Sequence, residues 1–103
     1  MKYKGFMYCY GNSEPYGTVT DAVLTRSRIS IDWEDPEGGG HLEAGASESD
    51  QYEGVYTVPG VRPTGRFDLK CYMAGDEVLL FGTWSWPATK DEGSWAFLLS
   101  PRE

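Results

Sequence analysis

Apolar and polar residues alternate with a period of two along most of this chain, the pattern of strands that bury one face. It is cleanest from Gly65 to Met73, where Phe67, Leu69, Cys71 and Met73 share one face and Arg66, Asp68, Lys70 and Tyr72 the other. Ala74-Gly75-Asp76 then supplies a tight turn. A strand from Glu77 to Trp86 keeps Val78, Leu80, Trp84 and Trp86 in step, and one from Gly93 to Leu99 aligns Trp95, Phe97 and Leu99. Upstream, Ser27, Ile29, Ile31 and Trp33 alternate with Arg28, Ser30, Asp32 and Glu34. Tyr52, Gly54, Tyr56 and Val58 do the same with Gln51, Glu53, Val55 and Thr57. Lys2 to Tyr10 is strand-like by its aromatic content. Only Thr20 to Arg28 fits a helical spacing, and its Thr, Val and Ser make a helix the lesser reading there.

Loops are expected at Gly11 to Tyr16, Asp35 to Gly40, Ser47 to Asp50, Pro59 to Thr64 and Pro87 to Glu92, where Gly, Pro, Asn, Asp and Ser collect. Seven or eight short strands at this spacing predict an all-β fold, a small antiparallel meander barrel. A β-sandwich is the alternative, because it rests on the same alternation. In a barrel the first and last strands should meet, since open edges invite aggregation.

An internal repeat organises the C-terminal half, from about residue 51 to 73 and from 79 to 99. Gly54-Val55-Tyr56-Thr57-Val58-Pro59 and Gly82-Thr83-Trp84-Ser85-Trp86-Pro87 both read Gly-x-aromatic-x-apolar-Pro. Each is followed by a second Gly-x-aromatic, Gly65-Arg66-Phe67 and Gly93-Ser94-Trp95, and the copies are 28 residues apart throughout. A fainter copy begins at Gly5 and resumes at Gly17-Thr18-Val19. Glycine lets a strand bend sharply where a sheet curls, and a ring two residues away on the same face is expected to cover its bare backbone. From Tyr52 to Leu99 these hairpins resemble those of small lipocalin-like (calycin-type) meander barrels. That resemblance implies a barrel able to hold a small apolar ligand in its mouth. The chain departs from those families in being short and in carrying Gly5-Phe6-Met7 in place of an early Gly-x-Trp.

Length and charge narrow the classes. A chain of 103 residues makes one domain, expected to span 1–103, and one of this size buries about 65% of its unfolded surface, enough for a single core. Nine Lys and Arg against sixteen Asp and Glu give a net charge of −7, which argues against binding nucleic acid or anionic membrane. Two cysteines are too few for a disulfide framework, and the start of the chain has no signal-peptide pattern, so the expected location is cytoplasmic.

Candidate chemistry is sparse. His41, the one histidine, follows Gly38-Gly39-Gly40 and reads as a solvated side chain. No metal site is expected, because a multi-histidine set is impossible. Glu34, Asp35, Glu37, Glu43, Glu48, Asp50 and Glu53 form an acidic stretch with no Lys or Arg, spaced unlike an EF-hand loop. Cys9 and Cys71 stand in phase with apolar neighbours and read as buried, inert thiols. The aromatics are the most informative group: Trp33, Tyr56, Phe67, Trp84, Trp86 and Trp95 are expected to point inward together.

These residues suggest a non-catalytic binding protein without a cofactor. The expected ligand site, for a small apolar or aromatic molecule, is Trp33, Tyr56, Trp84, Trp86 and Trp95. The alternative is an acidic inhibitor or immunity-like factor docking on a basic protein partner. Leu79, Phe81 and Leu98, with Ala96, face away from the tryptophans and predict an exterior apolar interface for a homo-oligomer or another partner.

Overall fold

In the computed structural model, which describes residues 2–9, 14–48, 50–58, 61–86 and 89–102, eight strands follow one another around a closed barrel. They are β1 (Lys2–Cys9), β2 (Gly17–Leu24), β3 (Arg28–Glu34), β4 (Gly40–Glu48), β5 (Gln51–Val58), β6 (Val61–Ala74), β7 (Glu77–Trp86) and β8 (Asp91–Pro101). Every ladder is antiparallel and joins sequence neighbours, apart from β1–β8, which closes the cylinder from Tyr3↔Pro101 to Cys9↔Trp95. Closure decides barrel over sandwich and gives every strand a neighbour on both sides.

The inward phase is the one expected from the alternation. Ile29, Ile31, Trp33, Tyr52, Tyr56, Phe67, Leu69, Val78, Leu80, Trp95, Phe97 and Leu99 are all buried. The N-terminal strand adds Tyr3 and Met7, so its outward face carries Lys2, Lys4 and Phe6. No polar or charged side chain among the described residues is buried, so the core is held by hydrophobic burial and close packing.

The window Thr20 to Arg28 is strand and turn. Register shifts on both sides of β2 place an extra residue at Thr20, so the inward residues Val19 and Ala22 stand three apart, mimicking a helical spacing. The bulge is tied down by Thr20 Oγ1, which donates to the Asp32 carbonyl, and by Arg102, whose Nη1 donates to the Thr20 carbonyl at 2.9 Å. At Thr25 the chain reverses, with the Arg28 amide donating to Thr25 Oγ1 at 3.0 Å.

Several expected loops are shorter than their turn residues suggest. Val58 pairs with Val61, so β6 starts inside the loop expected at Pro59 to Thr64, and only residues 59 and 60 separate the paired positions. β4 runs on to Glu48 and β8 begins at Asp91, each taking residues from an expected loop. Tyr10 to Ser13, Ser49, Pro59, Gly60, Pro87 and Ala88, on which parts of those expectations fall, lie outside the described residues.

The repeat is a repeat of cross-strand pairs. Gly54 stands opposite Phe67 and Tyr56 opposite Gly65; 28 residues on, Gly82 stands opposite Trp95 and Trp84 opposite Gly93. The fainter copy has the same form, Gly5↔Val19 and Met7↔Gly17. The ring therefore covers the glycine directly across the ladder, not the one two residues away on its own strand: Tyr56 lies over Gly65 and Trp84 over Gly93. Gly54 and Gly82 serve differently. A side chain there would strike a carbonyl oxygen of the strand alongside, Glu43 or Asp68.

Candidate functional site

A spacing of 28 residues spans two strands, so it returns the chain to the same end of the barrel. Tyr56, Phe67, Trp84 and Trp95 therefore gather at one end, where the last residues of β3 and β7 bring Trp33 and Trp86. Trp95 is the hub. Its ring centroid is 5.7 Å from Trp33, 5.1 Å from Tyr56, 5.9 Å from Phe67 and 5.1 Å from Phe97, in tilted and edge-on contacts. Trp86 joins at the rim, 5.4 Å from Tyr56.

Of the five residues expected to bind a ligand, Trp33, Tyr56 and Trp95 are thus buried in mutual contact, while Trp84 and Trp86 are half-buried against them. The polar atoms of this plug are unequal. Trp33 Nε1 donates to Asp35 Oδ2 at 3.0 Å, and the other oxygen of that carboxylate accepts from the Glu37 and Gly39 amides, fixing the β3–β4 turn. The Trp95 indole N–H is buried without an acceptor. Burial pushes the Tyr56 phenol up to about 12.

The opposite end is built differently. β5 begins opposite Lys70, and the Cys71 amide still donates to the Asp50 carbonyl at 2.7 Å, but residues 72–74 of β6 pair only with β7 and the β6–β7 hairpin projects past its other neighbour. Met73 stands in the inward phase of β6, yet it is 67% exposed, because β5 does not reach it there. Beneath it lies a bowl of about 580 Å³, lined by Tyr3, Leu24, Tyr52, Cys71 and Met73, with Thr25, Arg26 and Asp50 around it. Tyr52 closes the floor by donating its hydroxyl to the Thr25 carbonyl at 3.1 Å, a bond that crosses from β5 to the β2–β3 turn.

Burial, then the nearby Asp50 carboxylate, raises the Cys71 thiol. Burial first, then Cys71 and Asp50, raises the Tyr52 phenol. Both groups are therefore neutral at pH 7, and the charged side chains that line the bowl are those of Arg26 and Asp50. Cys71 and Cys9 are free and half-buried, less enclosed than their phase suggests. Tyr52, Cys71 and Met73 had the inward phase in sequence. Their convergence with Leu24 depends on how far each hairpin projects, which alternation does not carry.

His41 lies on the outer wall, its Nδ1 2.6 Å from Asp32 Oδ1 and its Nε2 3.6 Å from Glu43 Oε1. Among the described residues no three His, Cys, Asp or Glu side chains are gathered to hold a metal ion. Leu79 and Phe81 are exposed on the outer wall, and Leu98 is half-buried beside them. Comparison with protein families, curated proteins and solved structures returned no match for this chain.

Proposed function

We propose that this chain binds a small, uncharged apolar or aromatic molecule in the bowl at the Met73 end of the barrel. The observation that carries the reading is that the inward face of β6 continues past the packed core to Cys71 and Met73, leaving an apolar concavity of about 580 Å³. That volume falls within the roughly 300–1,000 Å³ of small-molecule sites. The bowl has an apolar floor, neutral phenol and thiol groups for orientation, and its charges at the edge. This reading puts the site at the opposite end of the barrel from Trp33, Tyr56, Trp84, Trp86 and Trp95, of which Trp33, Tyr56 and Trp95 are buried against one another.

Native mass spectrometry of gently purified protein, joined to a titration with the neutral fluorophore Nile red, tests this. A bound small molecule released on denaturation, or saturable Nile red binding lost in Cys71→Trp and kept in Trp86→Ala, supports the bowl. Binding lost in Trp86→Ala and kept in Cys71→Trp returns the site to the aromatic end. Bare protein that takes up no Nile red overturns the ligand-binding reading altogether.

A further inference from the structure

The outer wall carries a band of apolar side chains over four adjacent strands. One row across the ladders is Phe6 (β1), Leu98 (β8), Leu79 (β7) and Tyr72 (β6); the next is Tyr8, Ala96, Phe81 and Lys70. Phe6 is 47% exposed, Tyr72 50%, Phe81 51% and Leu79 38%, although Phe6, Leu79 and Phe81 each pair with a strand on both sides. Hydrogen bonding within the sheet therefore gives no reason for these side chains to be apolar.

We propose that this band is the docking surface for a second copy of the chain, forming a two-fold symmetric dimer independent of the bowl. Three observations select a second copy as the occupant. The first is charge. The acids of the Glu34 to Glu53 stretch lie on β3, β4, β5 and their connections, away from the band. The band itself holds one charge, Lys70, whose Nζ lies 5.6 Å from the Tyr72 ring centroid. It is a face on which two chains of net charge −7 can meet without opposing carboxylates.

The second is self-complementarity. A two-fold axis parallel to the strands sets β8 of one copy over β7 of the other. Phe81 then meets the partner's Ala96, a large side chain over a small one, and Leu79 meets the partner's Leu98; the two-fold repeats both contacts. The third is area. A half-exposed aromatic leaves on the order of 100 Å², so the two rows offer roughly 500 Å² per copy, and a dimer would bury about 1,000 Å², the lower bound for a specific interface. That size fits a weak, concentration-dependent dimer.

Sedimentation equilibrium of the full chain from about 5 to about 500 µM reads the outcome. The expected result is a shift from 11.5 kDa toward twice that mass with concentration. The shift should strengthen with added NaCl, because salt screens the repulsion of two acidic chains while leaving apolar contact intact. Phe81→Glu and Ala96→Phe should remain monomeric with an unchanged urea midpoint, and Val55→Glu, equally exposed on β5, should dimerise as the wild type does. A wild type that stays monomeric throughout overturns the proposal, even if a different protein is found to cover the band. So does a dimer that survives Phe81→Glu or dissolves in salt.

Discussion

The ring of Tyr56 occupies the space in which a side chain at residue 65 would stand, directly across the β5–β6 ladder. Gly65→Ala should therefore destabilise the protein by about 1–3 kcal/mol through overpacking. In a Tyr56→Leu background the same change should cost at least about 1 kcal/mol less, since the two residues share one space. Gly45 is a contrast: a methyl there makes only an ordinary contact with the Ser27 carbonyl. Gly45→Ala should be neutral or stabilise by up to about 1 kcal/mol. Urea midpoints of the four variants check all three statements.

Phe97 is fully buried and touches both Trp33 and Trp95. Phe97→Ala should cost about 3–5 kcal/mol. Against a total of about 5–15 kcal/mol for a domain, that leaves a marginal fold. Thermal unfolding followed by near-ultraviolet circular dichroism should show the midpoint falling by more than about 10 °C. A drop of a degree or two would mean that the base of the barrel is loosely packed.

Trp33 and Trp95 offer a matched pair. Trp→Phe removes similar volume from each, but at residue 33 it breaks the indole bond to Asp35, whereas at residue 95 it removes a donor that has no acceptor. Losing a hydrogen bond to a charged group costs about 1.5–3 kcal/mol, while deleting an unsatisfied buried donor relieves a desolvation penalty of about 1–3 kcal/mol. Trp33→Phe should accordingly be the more damaging by denaturant titration, and equal losses would contradict this polar asymmetry.

Alkali should unfold the protein in a defined window. Burial pushes the Tyr56 phenol up to about 12, and burial with the Asp35 and Glu37 carboxylates does the same to Tyr16. A free phenol titrates near 10. Between those values the unfolded chain has released protons that the folded chain still holds, so stability is full below pH 10 and falls as pH rises toward 12. Tyr56→Phe should flatten that fall. In the folded wild type, absorbance at about 295 nm should show Tyr16 and Tyr56 among the last phenols to ionise.

The sequence displayed most of the wall and little of the mouth. Trp33, Tyr56, Phe67, Leu80 and Phe97 announce their face because each strand keeps a strict period of two. At β2 that period fails, since the Thr20 bulge moves Ala22 out of step, and in β4 the run Gly40–Glu48 has too few large side chains to show a phase. Closure of β1 on β8 depends on accumulated twist and stagger, which no local pattern records. The same is true of the bowl. Met73 reads as core by phase, and only the unequal reach of β5 and β6 leaves it open to solvent.

The Arg102 amide donates to the Lys2 carbonyl at 2.9 Å, just beyond the ladder that joins β1 to β8. In space, then, the cylinder has no first strand; β1 and β8 meet at one of its eight seams. A short linker between those two ends, with new ends made at the exposed Gly75–Asp76 turn, would give a circularly permuted protein that keeps every strand pairing. In the native order β1 must wait for β8, the most distant segment, before its second edge is filled. In the permuted order the linker makes that pairing a local hairpin, and the slow long-range closure passes to β6 and β7.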